Sequence, residues 1–244
     1  MYQRELEEMS DLVMEISRYK ANTYFIQEYK LAYQEMKTIF WWLTKIKEEL
    51  DSSLAFECSC CSGLCGACGI RVNGRSVLAC KTILTPVLNY SSVLKCKIEP
   101  LRGLPLLRDL MINWRPVTER LKKNYHWLVQ EQDSMTTLQY SKSQEESTHD
   151  QSLAGCIQCG ICASECPILS QDHFIEPFIF AKAYRLITDS RLDPSNRQSI
   201  LENVQPFLSQ CIHCGRCRDT CPKSVSPAAA IVSLKKHLSN LYKR

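Results

Sequence analysis

The sequence predicts an α+β chain of two small domains, on three observations. Strand-like segments such as V-M-E-I-S-R-Y crowd the first third, helical spacing of apolar residues takes over beyond residue 152, and fifteen cysteines fall on either side of a polar stretch. At 244 residues and 45% apolar content the chain can bury a core. At about 150 residues per domain it supports one or two domains.

Taken in order, V-M-E-I-S-R-Y at 13–19 and F-I-Q-E-Y-K-L-A-Y at 25–33 predict two strands. Met36 to Leu50 predicts a helix, with Ile39, Phe40, Leu43, Ile46, Lys47 and Leu50 roughly at helical spacing. The pair Trp41-Trp42 fits core and interface rather than chemistry. I-R-V-N-G-R-S-V-L at 70–78 predicts a hairpin turning on Asn73-Gly74, because both central positions of a tight hairpin turn need positive φ. The expected domain boundary follows residue 104. Residues 130–152 hold five acids and one lysine with no apolar period, the composition of a linker or long loop. Beyond it, Leu186 to Leu192, Ile200 to Leu208 and Pro227 to Tyr242 predict helices.

So many cysteines imply either a disulfide scaffold or a metal protein. The start M-Y-Q-R-E-L-E-E has acids where a signal peptide needs positive charge, which points to thiols kept as metal ligands. The longest apolar candidate, I-F-W-W-L at 39–43, is far short of the roughly 18 residues that span a bilayer. Net charge is +4, and residues 216–244 carry seven Lys or Arg against Asp219 alone. Such a tail reads as a solvated helix face or as a docking surface for a partner or anionic lipid. No nucleic-acid partner is expected.

Cys156, Cys159, Cys162 and Cys166-Pro167 repeat as Cys211, Cys214, Cys217 and Cys221-Pro222. Both runs read C-x2-C-x2-C-x3-C-P, the two-cluster bacterial ferredoxin pattern. Three closely spaced thiolates can wrap three corners of a cubane, with backbone N–H groups offsetting its negative charge. The Cys-Pro cysteine of the opposite run supplies the fourth corner. The pattern assigns Cys156, Cys159, Cys162 and Cys221 to one [4Fe-4S] site, and Cys166, Cys211, Cys214 and Cys217 to a second. Zinc also uses C-x2-C pairs, but it has no need of a third step or a trailing Cys-Pro.

Cys60, Cys65, Cys68 and Cys80 have gaps of four, two and eleven, the plant-type [2Fe-2S] spacing. Cys58 and Cys61 do not fit that register and count as spare thiols; Cys96 stands alone. S-G-L at 62–64 and G-A at 66–67 are small enough to let amides approach sulfur. Two strands, a helix, a cluster loop and a hairpin make a β-grasp [2Fe-2S] ferredoxin-like domain. An α-helical two-cluster ferredoxin-like domain follows. His126, His149, His173, His213 and His237 are scattered, and His213, between two ligands, reads as a spacer. No G-x-G-x-x-G motif, carboxylate pair or Ser/His/Asp set stands out.

The ordered combination of D-S-S-L-A-F, the C-x4-C-x2-C loop, V-N-G-R-S-V-L-A-C-K-T, G-L-P-L-L-R-D-L, F-I-E-P, A-Y-R-L-I-T-D-S-R-L-D and C-P-K-S-V-S-P resembles the iron–sulfur subunit of succinate dehydrogenase and fumarate reductase. The resemblance covers roughly residues 13–240. It implies a subunit with no substrate chemistry of its own, relaying electrons between the FAD of a flavoprotein partner and a quinone or other carrier. It also implies a membrane-anchor or cysteine-rich third subunit and a peripheral position at the cytoplasmic face of the membrane.

Relatives of the common type carry a [3Fe-4S] cluster in the second site, because the position matching Cys214 is not cysteine there. Here a fourth thiolate implies a cubane. Ile212 stands where such relatives often place histidine, and I-L-S-Q-D-H-F at 168–174 lacks the tryptophan of their quinone site. A second class of function is the iron–sulfur arm of a thiol-dependent fumarate reductase or of another flavoprotein dehydrogenase. Co-purification with a large, covalently flavinylated partner separates the two.

Overall fold

The computed structural model describes residues 11–84, 93–123, 152–169 and 175–241. The chain divides into two compact units, Met1–Asn113 and Trp114–Arg244. Of the expected linker, 130–151 lies outside the described residues.

In the first unit, β1 (Asp11–Lys20) and β2 (Thr23–Ala32) form an antiparallel hairpin paired from Asp11↔Ala32 to Lys20↔Thr23. Its two-residue turn, Ala21-Asn22, has φ of 49° and 61°, the left-handed pair that matches strand twist. β3 (Gly69–Val72) and β4 (Arg75–Leu78) form the second hairpin, and Asn73 and Gly74 at its turn have φ of 48° and 81°. β5 (Val93–Glu99) runs parallel to β1 and antiparallel to β3, giving a mixed sheet ordered β2-β1-β5-β3-β4. β6 (Leu106–Arg108) and β7 (Met111–Ile112) make a small separate hairpin.

α1 spans Ile39–Lys45 and ends in one wider turn, Ile46–Leu50. Thr38 caps it by accepting from the Trp41 amide, and Ile39, Trp42, Leu43 and Ile46 are buried. The helix starts three residues later than the apolar spacing suggests, because Met36 sits at φ 58°, outside helical space. Its first free amides are used: Ile39 N–H donates to Thr82 O at 2.8 Å and Phe40 N–H to Ala79 O at 3.0 Å. The helix start is thereby tied to the chain on both sides of Cys80.

The second unit contains α2 (Trp114–Lys123), α3 (Ile161–Ser164), α4 (Pro177–Ile187), α5 (Pro194–Leu208), α6 (Arg216–Asp219) and α7 (Pro227–Leu241). α4 packs on α5 and α7, and α3 packs on α6. Phe178, Ile179, Phe180, Ala181 and Ala183 of α4 are almost wholly buried. The helix expected at Leu186 to Leu192 is displaced: α4 ends at Ile187, and Asp189 captures the amide and guanidinium of Arg191 in a turn. α5 then starts at Pro194, capped by Asp193 accepting from Ser195 and Asn196.

Candidate iron–sulfur centres

The segment feeding the first cysteine loop is held by a buried charge network. Arg18 on β1 is 3% exposed; its guanidinium lies 2.6 Å from Asp51 and 2.9 Å from Asp109. Asp109 also accepts from the Ala55 amide at 2.9 Å, and Leu110 N–H donates to Ala55 O at 3.2 Å. Hydrogen bonds from Ser53 and Tyr29, then from Arg18, hold the Asp51 carboxyl well below the usual carboxylate range. Residues 51–55 are thus fixed immediately before the loop.

Within the loop, Cys60 Sγ accepts from the amides of Ser62 at 3.4 Å, Leu64 at 3.2 Å and Cys65 at 3.3 Å. These donors, the Ser62 amide foremost, lower the Cys60 thiol to about 5, so it is a thiolate at neutral pH. Left-handed residues Cys61 (φ 50°), Gly63 (75°) and Gly66 (79°) wind the chain around that sulfur. At Gly63 a Cβ would lie 2.6 Å from Cγ of Lys81. Cys68 and Cys80 are buried with sulfurs 3.3 Å apart, and burial pushes the Cys68 thiol up to about 11. Cys65 is exposed. The spare thiols meet each other: Cys58 and Cys61 have sulfurs 3.1 Å apart. Cys96 is wholly buried in β5, where burial raises its thiol to about 12.

The two later runs have the same backbone. Gln158 and Gly160 take φ of 54° and 77°, and His213 and Gly215 at the matching positions take 55° and 77°. Each glycine precedes a four-residue helix, α3 or α6, whose end leads into Cys166-Pro167 or Cys221-Pro222. Backbone amides face four of the sulfurs: Gln158 to Cys156, Ile161 to Cys159, Ile168 and Leu169 to Cys166, and Ala228 to Cys217.

The runs also interleave. Cys156 and Cys221 pack against one apolar cluster of Leu153, Ala181, Val225 and Ala230. Gly155, beside Cys156, has its Cβ direction 3.7 Å from Val225 and 3.9 Å from the carbonyl of Lys223. Burial, then the neighbouring thiols of Cys159, Cys156, Cys217 and Cys221, drives the Cys162 thiol well above its ordinary value. Burial and the charges of Cys166, Cys211 and Cys214 raise Cys217 to about 11. Among the described residues no three His, Cys, Asp or Glu side chains come close enough to share a single metal ion. A multi-iron cluster bridges thiolates set further apart, and thiols faced by backbone amides suit it.

Sequence reasoning missed Lys182 on α4, a half-buried lysine facing Cys156, because nothing in the sequence signals that approach. His213 Nε2 lies 2.8 Å from Lys235 Nζ, at an open hollow of about 400 Å3 that Val232, Lys236 and Ser239 also line. The His237 ring lies tilted against that of Tyr184, with centroids 5.8 Å apart. His126, His149 and His173 lie outside the described residues, as does most of 168–174.

Residues 13–119 match the family model of the 2Fe-2S iron-sulfur cluster binding domain, and 152–225 match that of the 4Fe-4S dicluster domain. The 8-methylmenaquinol:fumarate reductase iron-sulfur subunit of Wolinella succinogenes is 36% identical over 230 residues, spanning 90% of this chain and 70% of that protein. The fumarate reductase iron-sulfur subunit of Mycobacterium tuberculosis is 32% identical over 234 residues, with 93% and 92% covered. A chain of the Mycobacterium smegmatis Sdh1 complex shares the fold at a TM-score of 0.82 and 20% identity, covering 96% of this chain and 98% of that one. Motif, fold and relatives agree: the chain belongs to the family of iron–sulfur subunits of succinate dehydrogenases and fumarate reductases, components of oxidoreductase complexes.

Proposed function

We propose that this subunit relays electrons between the FAD of a flavoprotein subunit and a quinone, quinol or other carrier. Cys60, Cys65, Cys68 and Cys80 hold a [2Fe-2S] cluster. Cys156, Cys159, Cys162 and Cys221 hold one [4Fe-4S] cluster, and Cys166, Cys211, Cys214 and Cys217 hold the second. Bound clusters supply one-electron steps at potentials set by cluster type, hydrogen bonding and exposure. The chain's own contribution is the backbone amides at Cys60, Cys156, Cys159, Cys166 and Cys217, which offset negative charge, and the burial that keeps water from Cys159, Cys162 and Cys217.

The observation that carries the ligand assignment is the interleaving: Cys221 packs with Cys156, while Cys166 is an electrostatic neighbour of Cys217. Cys214 is an electrostatic neighbour of Cys166 and Cys217, which supports a complete cubane there. The quinol in the name of the W. succinogenes relative supports a quinol on the carrier side. No described helix is long and apolar enough to cross a membrane. We further propose an anchor or cysteine-rich third subunit and a peripheral position at the cytoplasmic face.

The test is anaerobic purification with metal analysis. The complex should hold about ten irons, two plus four plus four, together with a flavoprotein. Stoichiometric zinc or only two irons would sink the ligand assignment. Absence of a flavin-bearing partner would sink the relay.

A further inference from the structure

We propose that Cys58 and Cys61 form a redox-active dithiol site that external disulfides oxidise, beside the [2Fe-2S] loop. The proposal rests on the reading of Cys60, Cys65, Cys68 and Cys80 as cluster ligands, which leaves these two thiols free of iron. The sulfurs already lie 3.1 Å apart in a hydrogen bond, so a bond of about 2 Å needs an approach of only about 1 Å. They stand in a C-x2-C spacing, the commonest arrangement of exchanging dithiols.

Access is divided between them. Cys61 is exposed and Cys58 is only partly so, which makes Cys61 the sulfur that a disulfide in solution meets first. Cys61 is held at φ 50°, in the left-handed region. The Cys58 sulfur, just before the loop, is hydrogen-bonded to it. A ring so short removes little chain entropy when it closes, so the disulfide gains little stability and opens again with thiol.

The step balances. Cys61 sulfur attacks one sulfur of the external disulfide and expels a thiolate, which leaves as a thiol with the Cys61 proton. Cys58 sulfur then attacks the Cys61 sulfur of that mixed disulfide and expels the second thiol, which carries the Cys58 proton. The pair loses two electrons and two protons, and the external disulfide becomes two thiols.

The experiment treats the anaerobic complex with glutathione disulfide, alkylates free thiols and maps the peptides by mass. Wild type should lose two alkylatable thiols per chain to an internal Cys58–Cys61 disulfide, regained on adding thiol, with the two-iron resonance, read after one-electron reduction of the cluster, at full intensity. Cys58→Ser should trap glutathione on Cys61, whereas Cys61→Ser should take up none at Cys58. Unchanged alkylation of the wild type overturns the proposal. So does loss of the two-iron resonance in step with the thiols, which would mean that ligands had been oxidised. If the untreated complex already lacks that resonance, the ligand reading fails and this inference fails with it.

Discussion

The Arg18 guanidinium lies 2.9 Å from the Asp109 carboxylate, with side chains 4% and 1% exposed, and this ion pair fixes the approach to the first cluster loop. Removing Asp109 leaves buried Arg18 with Asp51 as its remaining counter-charge, so the cost should fall below the roughly 3–5 kcal/mol of stranding a buried charge outright. Asp109→Ala also orphans the Ala55 amide. It should lower the thermal midpoint of the anaerobic protein and reduce the two-iron resonance, with the dicluster resonances unchanged. Full retention of the two-iron signal at an unchanged midpoint would show that the network does not position the loop.

Gly63→Ala meets two penalties. A left-handed φ of 75° costs a non-glycine residue about 1–2 kcal/mol, and the new methyl collides with Lys81 Cγ. The variant should bind about two fewer irons per chain. Adding Lys81→Ala should recover part of the loss and leave the backbone penalty. Equal iron in Gly63→Ala and wild type would refute the packing argument.

Protons compete with iron unequally at the three sites. Cys60, lowered to about 5, has no proton to lose at neutral pH. Cys159 and Cys217, raised to about 11, and Cys162, raised well above its ordinary value by burial, carry protons at neutral pH and must release them on loading. Cys68 shares that burden in the first loop. Anaerobic reconstitution at falling pH should therefore lose the dicluster sites before the two-iron site, followed by their separate resonances. The reverse order would contradict the thiol environments.

At the site proposed as the second cubane, Cys214→Ser should leave a three-iron cluster that is paramagnetic when oxidised. Its potential should rise, because a cluster with fewer negative charges accepts an electron more readily. The site at Cys156, Cys159, Cys162 and Cys221 should keep its signal. A stoichiometric three-iron resonance in the anaerobic wild type would make Cys214 a bystander.

What was legible in the sequence was local. Asn73-Gly74 announced a hairpin because a two-residue turn must solve its own dihedral problem, and the cysteine motifs were legible because cluster loops use close neighbours. β5 was not read, although Leu94, Cys96 and Ile98 are buried and alternate with exposed Lys95 and Lys97. Its parallel partner β1 lies about 80 residues away, beyond any turn signal. α4 was misplaced because P-F-I-F-A at its start is buried all round, which removes the apolar period a surface helix shows. Arg18, Asp51 and Asp109 were invisible as a group, since only the fold brings them together.

The repeated loops share a backbone but not a depth: Cys159 is 8% exposed, whereas Cys214 is exposed beside an Ile212 that is 60% exposed. An electron wire needs insulation along its length and a bare contact where it hands over. The bare contact is also where dioxygen and chelators enter, so ageing in air should strip iron at Cys214 before it strips the site at Cys159. A partner seated on Ile212 would act as both socket and stopper.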